Sequence, residues 1–310
     1  MVRLLNGDAM INTVKGKISS SELGVTYIHD HLYVIPNALP KYYDYTFDDI
    51  DKSIAEAIDF KNHGGNTIVD LTPINYGRNP IALQKIAEGS NINVCFVTGF
   101  HKEEFMPKWI DEMSDQEIYD LLVNEINNGV SSHHLLPAAM KAGTSFKKIT
   151  KREKRILRVE GLVQHDTKIP MITHCDKGTM GLEQLKILNE QGADLCHVCL
   201  SHVDQTKDVN YIEKICSTGA SISFDHIGRE LADNDGDRVK ILTQLVNDGY
   251  VDHICLAGDM GRKKYFLSYK GKPGLRYIIT TLKELLIPRI GIENFNKMVI
   301  DNPRRILVRK

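Results

Sequence analysis

Short apolar runs alternate along this chain with longer amphipathic stretches. The runs lie at 25–32, 66–71, 93–99, 136–142, 170–174, 196–203, 220–226 and 253–259. They are continuously apolar rather than alternating, which marks strands buried on both faces and therefore parallel. Between them the period lengthens. Ile50, Ile54, Ala57 and Ile58 recur at helical spacing in 47–61, and Gly64-Gly65 ends that helix. Further helices are expected at 80–88, 115–127, 150–166, 181–190, 208–218, 238–248 and 275–285, with a last one from 292. The helix at 150–166 opens with Thr150 followed by Glu153, a capping box. Residues 1–20 carry short apolar runs around Gly7 and Gly16 and suggest a small hairpin before the main body. Eight strand–helix units fit an α/β protein closed into a (β/α)8 TIM barrel better than an open sheet. No linker or low-complexity tract interrupts the pattern, so residues 1–310 are read as a single domain.

Composition changes this picture little, and mainly by exclusion. The chain is 42% hydrophobic and 25% charged, with a formal net charge of -1, which gives no reason to expect nucleic acid. No run approaches the ~20 apolar residues of a membrane span, and the N-terminal stretch lacks a signal-peptide core. The six cysteines sit mostly in apolar runs. Cys196 and Cys199 have a nominal C-x-x-C spacing, but within one apolar strand, where a redox motif would need a turn at a helix start. Reduced, buried thiols in a cytoplasmic protein are the expectation.

The chemistry gathers where strands end, which in such a barrel is the catalytic face. His29 and His31 stand two apart in the first strand, so an extended backbone aims both imidazoles to one side. Alone, H-x-H is as readily two half-buried histidines as two metal ligands. Later strand ends add Lys141, His174, His202, Asp225, His226 and Asp259. Each would be costly to bury without a partner, and four histidines with Asp259 at one mouth favour divalent metal. Zinc suits this set first, and manganese or cobalt also fit. Lys141 is the odd member. Its ammonium would repel a metal, and spacing alone does not show whether carbon dioxide has converted it into an anionic carbamate.

The pieces INTVKG…ELGVTYIHDHL, KAGTSFKKITKREKRILR, PMITHCDKGTMGLEQL, CHVCLSHVDQTKD, SISFDHIG, CLAGDMGR and IDNPRRIL run in one order over nearly the whole chain. In this the sequence resembles the phosphotriesterase family of the amidohydrolase superfamily. Asp30 departs from it, since the family commonly has Glu between its two histidines. The resemblance implies a hydrolase with two divalent metals: His29, His31 and Asp259 on the buried ion, His174 and His202 on the more exposed one. Lys141, carboxylated on Nζ, would bridge them together with a hydroxide. The distance from Lys141 to Glu153 is like the family's, which favours it over Lys147 or Lys148. The hydroxide would be the nucleophile and Asp259 would take its proton, with His226 and Asp225 as candidates to pass it on.

Specificity in this architecture belongs to the loops after the strands. Beyond the last two strands the chain is rich in Arg and Lys. A solvated basic face accounts for several of these. Arg229 and Arg262, three residues past His226 and Asp259, are placed to grip an anion, and Tyr265 would add a hydroxyl. The loop GRKKYFLSYKGKPG is too polar for a long acyl chain or an aryl phosphotriester. The sequence is similar to family branches that open phosphorylated sugar lactones. The expected reaction is therefore hydrolysis of an aldono-1,4-lactone 5-phosphate, a small anionic substrate. The runner-up is a promiscuous phosphotriesterase or acyl-homoserine lactonase. A catalytically silent binding barrel is disfavoured because no ligand is missing. Barrels of this type often pair, which leaves a homodimer open.

Overall fold

The computed structural model describes residues 9–36, 40–229 and 235–309. An antiparallel pair, β1 (Met10–Thr13) and β2 (Gly16–Ser19), forms the hairpin expected at Gly16, while Gly7 lies outside the described residues. Eight parallel strands follow in sequential order: β3 (Thr26–Asp30), β4 (Thr67–Asp70), β5 (Asn93–Gly99), β6 (Ala139–Thr144), β7 (Met171–Cys175), β8 (Val198–Ser201), β9 (Ser221–Phe224) and β10 (Ile254–Leu256). Helices α1 (Ile50–Asn62), α2 (Pro80–Ser90), α3 (Asp115–Asn128), α4 (Lys151–Thr167), α5 (Gly181–Glu190), α6 (Val209–Cys216) and α7 (Gly236–Asn247) connect them. Helices α8 (Lys283–Asn296) and α9 (Asn302–Leu307) complete the ring. This is a (β/α)8 TIM barrel.

The continuous apolar runs are explained by two separate cores. Ile28, Val69, Val97, Ala139, Ile172 and Cys199 point into the lumen, where eight strands leave room only for small or slender side chains. Their neighbours Tyr27, Ile68, Phe96, Met140, Leu200 and Phe224 face outward into the layer beneath the helices. Helix starts follow local chemistry. Thr150 and Glu153 form the expected capping box on α4, and Asn79 caps α2 with Pro80 in its first turn.

Three of the departures from expectation have an evident local cause. Strand β6 starts at Ala139 rather than at 136, because Pro137 offers no N–H to the ladder. It runs on to Thr144, so Lys141 sits inside the strand and not at its end. Before β8, Leu195–His197 is a 3₁₀ turn capped by Asp194, which leaves Cys196 exposed while Cys199 is buried in the strand. Helix α8 contains Pro288 and a break at Gly291 with φ 79°, which joins into one bent element two helices expected separately.

The barrel closes by side chains as much as by backbone. The N–H of Asp259, beyond β10, donates to His29 O at 3.1 Å. The Asp30 carboxylate accepts from the N–H groups of Met260 (2.7 Å) and Gly258 (3.2 Å). One strand over, Asp70 accepts from Leu32 N–H at 2.7 Å and Thr72 N–H at 2.9 Å. An irregularity between Tyr27 and Asp30 shifts the β3–β4 register, the kind of bulge that re-aims side chains at a barrel rim. Gly99 (φ 87°) makes another close approach possible, since a Cβ there would lie 2.1 Å from the Lys141 carbonyl oxygen.

Helix α4 buries a carboxyl against β5. Glu160 Oε1 accepts from Phe100 N–H at 3.2 Å, whereas Oε2 is buried without a partner. Burial pushes the acid well above the ordinary carboxylate range. A raised native pKa means that the native state holds its proton more tightly than the unfolded chain does. The associated stability is complete below the unfolded value of about 4.3 and declines as pH rises through neutrality. Glu160→Gln is expected to flatten that decline, with Tm between pH 5 and pH 8 falling less than in the wild type. Parallel Tm–pH curves would contradict this account.

Candidate metal centre

Six side chains converge on a cavity of about 530 Å³ at the C-terminal end of the strands: His29, His31, Lys141, His174, His202 and Asp259. Strand β3 supplies His29, and the residue just past its end is His31; β6 and β7 supply the next two, and the turns after β8 and β10 the last two. The imidazoles touch in sequence. Ring centroids are 5.6 Å apart for His29–His31, 5.1 Å for His29–His202 and 4.5 Å for His174–His202.

Hydrogen bonds behind the rings decide which nitrogens face the cavity. Asp225, fully buried, accepts from His29 Nδ1 at 2.7 Å and His202 Nδ1 at 2.8 Å, and also from the His202 backbone N–H at 2.9 Å. His31 Nδ1 pairs with Thr72 Oγ1 at 2.8 Å. With Nδ1 occupied in each, Nε2 is left as the ligating atom. His174 Nε2 is buried with no hydrogen-bond partner, an orphan that a bound cation would satisfy.

The Asp259 carboxylate divides its two oxygens. Oδ1 lies 3.4 Å from His29 Nε2 and 3.2 Å from His31 Nε2, a three-ligand group with room for a cation between. Oδ2 faces away, to Arg229 at 2.7 Å and His226 Nε2 at 3.5 Å. Both His202 (φ 70°) and Asp259 (φ 42°) hold left-handed backbone, unusual outside glycine. The N–H bonds to Asp225 and His29 O hold them there.

Electrostatics leave these groups in their metal-binding forms. Burial, reinforced by the Lys141 charge, lowers His29 to about 3. Burial likewise takes His174 well below its ordinary value. For Asp259, burial would raise the pKa, but Arg229 and the facing histidines outweigh it and hold the acid well below the usual range. Burial lowers Lys141 to about 8, and its Nζ lies 3.5 Å from His29 Nε2. A neutral amine is therefore within reach near neutral pH, which is the form that reacts with carbon dioxide. Neutral imidazoles at His29 and His174, an ionised Asp259 and an accessible neutral amine at Lys141 fit the donor chemistry of divalent ions.

The remaining residues singled out from sequence fall in three places. Asp225 lies beneath the rings, orienting His29 and His202, and makes its side-chain bonds there rather than to His226. His226 meets Arg229 at 2.8 Å and Gln205 at 3.4 Å on the cavity wall. Arg262 also lines the cavity, with its guanidinium 4.4 Å from the centre of the Tyr45 ring. Tyr265 stands behind Arg229, 5.2 Å from it, outside the cavity lining. Glu56 on α1 accepts from Ser268 N–H and Leu275 N–H (2.9 and 3.0 Å), pinning the loop that carries these groups.

Sequence reading missed His101. It lies just past β5, its ring 4.6 Å from His174 and stacked on Phe105 at 4.9 Å, with Nδ1 buried and unpaired. The strand-end rule that found the other histidines would have included it. Asp30 and Thr72 carried no comparable signal, because their bonds are set by tertiary contacts.

A family model described as the phosphotriesterase family matches residues 9–307. A phospho-furanose lactonase from Mycoplasmopsis synoviae is 32% identical, over 95% of this chain and 90% of its own. An aryldialkylphosphatase from Saccharolobus solfataricus is 29% identical over 94% of this chain and 97% of its own. The crystal structure of a lactonase from Listeria monocytogenes superimposes with a TM-score of 0.92 at 30% identity, covering 97% of this chain and all (100%) of that one.

Proposed function

Since this chain belongs to the phosphotriesterase family, and is thereby a metal-dependent hydrolase of the lactonase or phosphotriesterase kind, we propose that it opens an aldono-1,4-lactone 5-phosphate. The observation that carries this reading is a pair of arginines on the cavity wall, Arg229 and Arg262, the first bonded to Asp259 at 2.7 Å. Guanidinium groups bind phosphate through paired hydrogen bonds. The relatives named as phospho-furanose lactonases support it.

His29, His31 and Asp259 would hold one divalent ion, and His174 and His202 the other, with carboxylated Lys141 between; zinc suits this set, as do manganese and cobalt. Bound there, the two ions would supply Lewis acidity and a water ionised at neutral pH. The protein's own groups do the rest. Asp259 Oδ1 faces the ligand nitrogens, while Oδ2, paired with Arg229 at 2.7 Å, would receive a proton once Arg229 is drawn away. His226, 3.5 Å away and kept neutral by burial and by Arg229, presents Nε2 as the next acceptor. Arg229 now donates to both Asp259 and His226, so a substrate phosphate that engages it would release those two acceptors. Arg262 would hold the same phosphate, and Tyr265 would steady Arg229 from behind.

The decisive assay compares pentono-1,4-lactones with their 5-phosphates on metal-loaded enzyme. Equal rates on both would overturn the phosphate anchor. Arg262→Ala is expected to raise KM for the phosphorylated substrate roughly 10–100-fold, the worth of a charge-assisted hydrogen bond, with kcat little changed. A second reading has its own support: Tyr45, Tyr76 and Phe105 line the cavity and would seat an aryl group. Paraoxon turnover above that of every lactone phosphate would establish a phosphotriesterase instead. Among the described residues no helix is long and apolar enough to cross a membrane.

A further inference from the structure

The cavity has two chemically different walls. Arg229 and Arg262 follow β9 and β10 on one side. Across the mouth, Lys102 follows β5 and Asp176 follows β7. Lys102 Nζ donates to Asp176 Oδ2 at 2.7 Å and lies 3.6 Å from Glu104 Oε2. Glu104 Oε1 in turn accepts from the Tyr42 hydroxyl at 3.1 Å. One ammonium is thus set against two carboxylates, and all three groups line the cavity. With its ammonium already matched by two carboxylates, this trio has little to offer a phosphate. It is well suited to hydroxyls, which donate to a carboxylate and accept from an ammonium at once. The exposed lysines at the rim, Lys41 and Lys177, lie over the rings of Tyr42 (4.4 Å) and Phe146 (4.8 Å).

The lactone itself has two sides. Its carbonyl carbon is flanked by the ring oxygen, which leads to C4 and the phosphate arm, and by C2 with its hydroxyl. With the carbonyl over the ligand cluster and the phosphate on the arginine wall, the C2 edge turns to the opposite wall. We propose that Lys102, Glu104 and Asp176 form a hydroxyl-reading wall that selects lactones carrying a C2 hydroxyl. The direction of the phosphate rests on the lactone-phosphate reading above; the preference for a hydroxyl does not.

The test uses metal-loaded wild type, Lys102→Met and Asp176→Asn on two substrate pairs. One pair is a pentono-1,4-lactone 5-phosphate and its 2-deoxy counterpart. The other is phosphate-free, α-hydroxy-γ-butyrolactone and γ-butyrolactone. Each kcat/KM is divided by the rate of base-catalysed opening in solution, which removes the hydroxyl's own inductive effect. Wild type is expected to favour the hydroxylated member of both pairs by roughly tenfold or more. Both variants should bring that ratio close to one while metal content stays at the wild-type level. A wild-type ratio near one in both pairs overturns the proposal. So does an equal loss on both members in the Lys102→Met enzyme, because a structural defect would not distinguish them. A hydroxyl preference that persists while the phosphate makes no difference would leave this wall standing and overturn the lactone-phosphate reading instead.

Discussion

Alanine in place of Asp225 is expected to cut hydrolysis by roughly 10²–10⁴-fold, although this residue is fully buried and meets no substrate. Its two oxygens hold Nδ1 of His29 and of His202, at 2.7 and 2.8 Å. One belongs to the ligand set proposed for the buried ion and one to that for the exposed ion. Removing a single outer partner of a metal-bound histidine typically costs 10–100-fold in affinity or activity, and this carboxylate serves two. It also anchors the left-handed backbone at His202 through the N–H bond of 2.9 Å. Asp225→Asn should fall between wild type and Asp225→Ala, since its one oxygen can orient only one imidazole while its amide opposes the other. Steady-state rates and metal content measured by atomic absorption check this. Full metal content and a rate within threefold of wild type in Asp225→Ala would refute the two-site role.

Lys141→Ala is expected to lower activity more than about 10³-fold and to leave the protein with less than its full metal complement, the result for a ligand rather than an outer partner. Lys141 is buried, with Nζ 3.5 Å from His29 Nε2. As an ammonium it would repel any ion held there. As a carbamate, formed by addition of carbon dioxide with release of a proton, it would present two oxygens where two cations need a shared anion. Burial lowers the amine to about 8, so a usable neutral fraction exists at physiological pH. The alanine variant leaves a gap of about the right size for a small free carboxylate. Acetate or propionate added with metal should therefore restore part of the rate, whereas chloride should not. Undiminished metal binding and activity in Lys141→Ala would rule out the bridging role.

Much of this architecture is legible in the sequence, for a physical reason. A strand buried on both faces has few ways to be written, so 93–99 is delimited in the structure as the pattern predicts, and the amphipathic period delimits the helix at 181–190 equally well. The convergence of these side chains on one cavity is legible because ionisable groups at the ends of such strands have few bland explanations. What escaped depends on partners distant in the chain. Asp225 looked like a proton relay because of its neighbour His226, yet it bonds to His29, 196 positions away. Tyr265 has the right sequence spacing for the cavity, but the 3₁₀ turn Lys263–Tyr265 carries it behind Arg229. His101 escaped because it stands two residues beyond the end of β5, in the loop. The role of Asp30 is likewise invisible in the sequence: its carboxylate stitches the first barrel strand to the segment that carries Asp259.

That stitch has a consequence for how the protein is made. Asp30 and Gly258 are 228 positions apart, and His29, His31 and Asp259 flank the same seam. A nascent or truncated chain that lacks the last strand cannot assemble the three-ligand group, whatever the state of the earlier strands. Hydrolytic competence therefore waits for β10 and the segment after it, when the two edges of the sheet meet. A cation taken up there acts as a clasp across the join, holding shut the ring whose closure created its site.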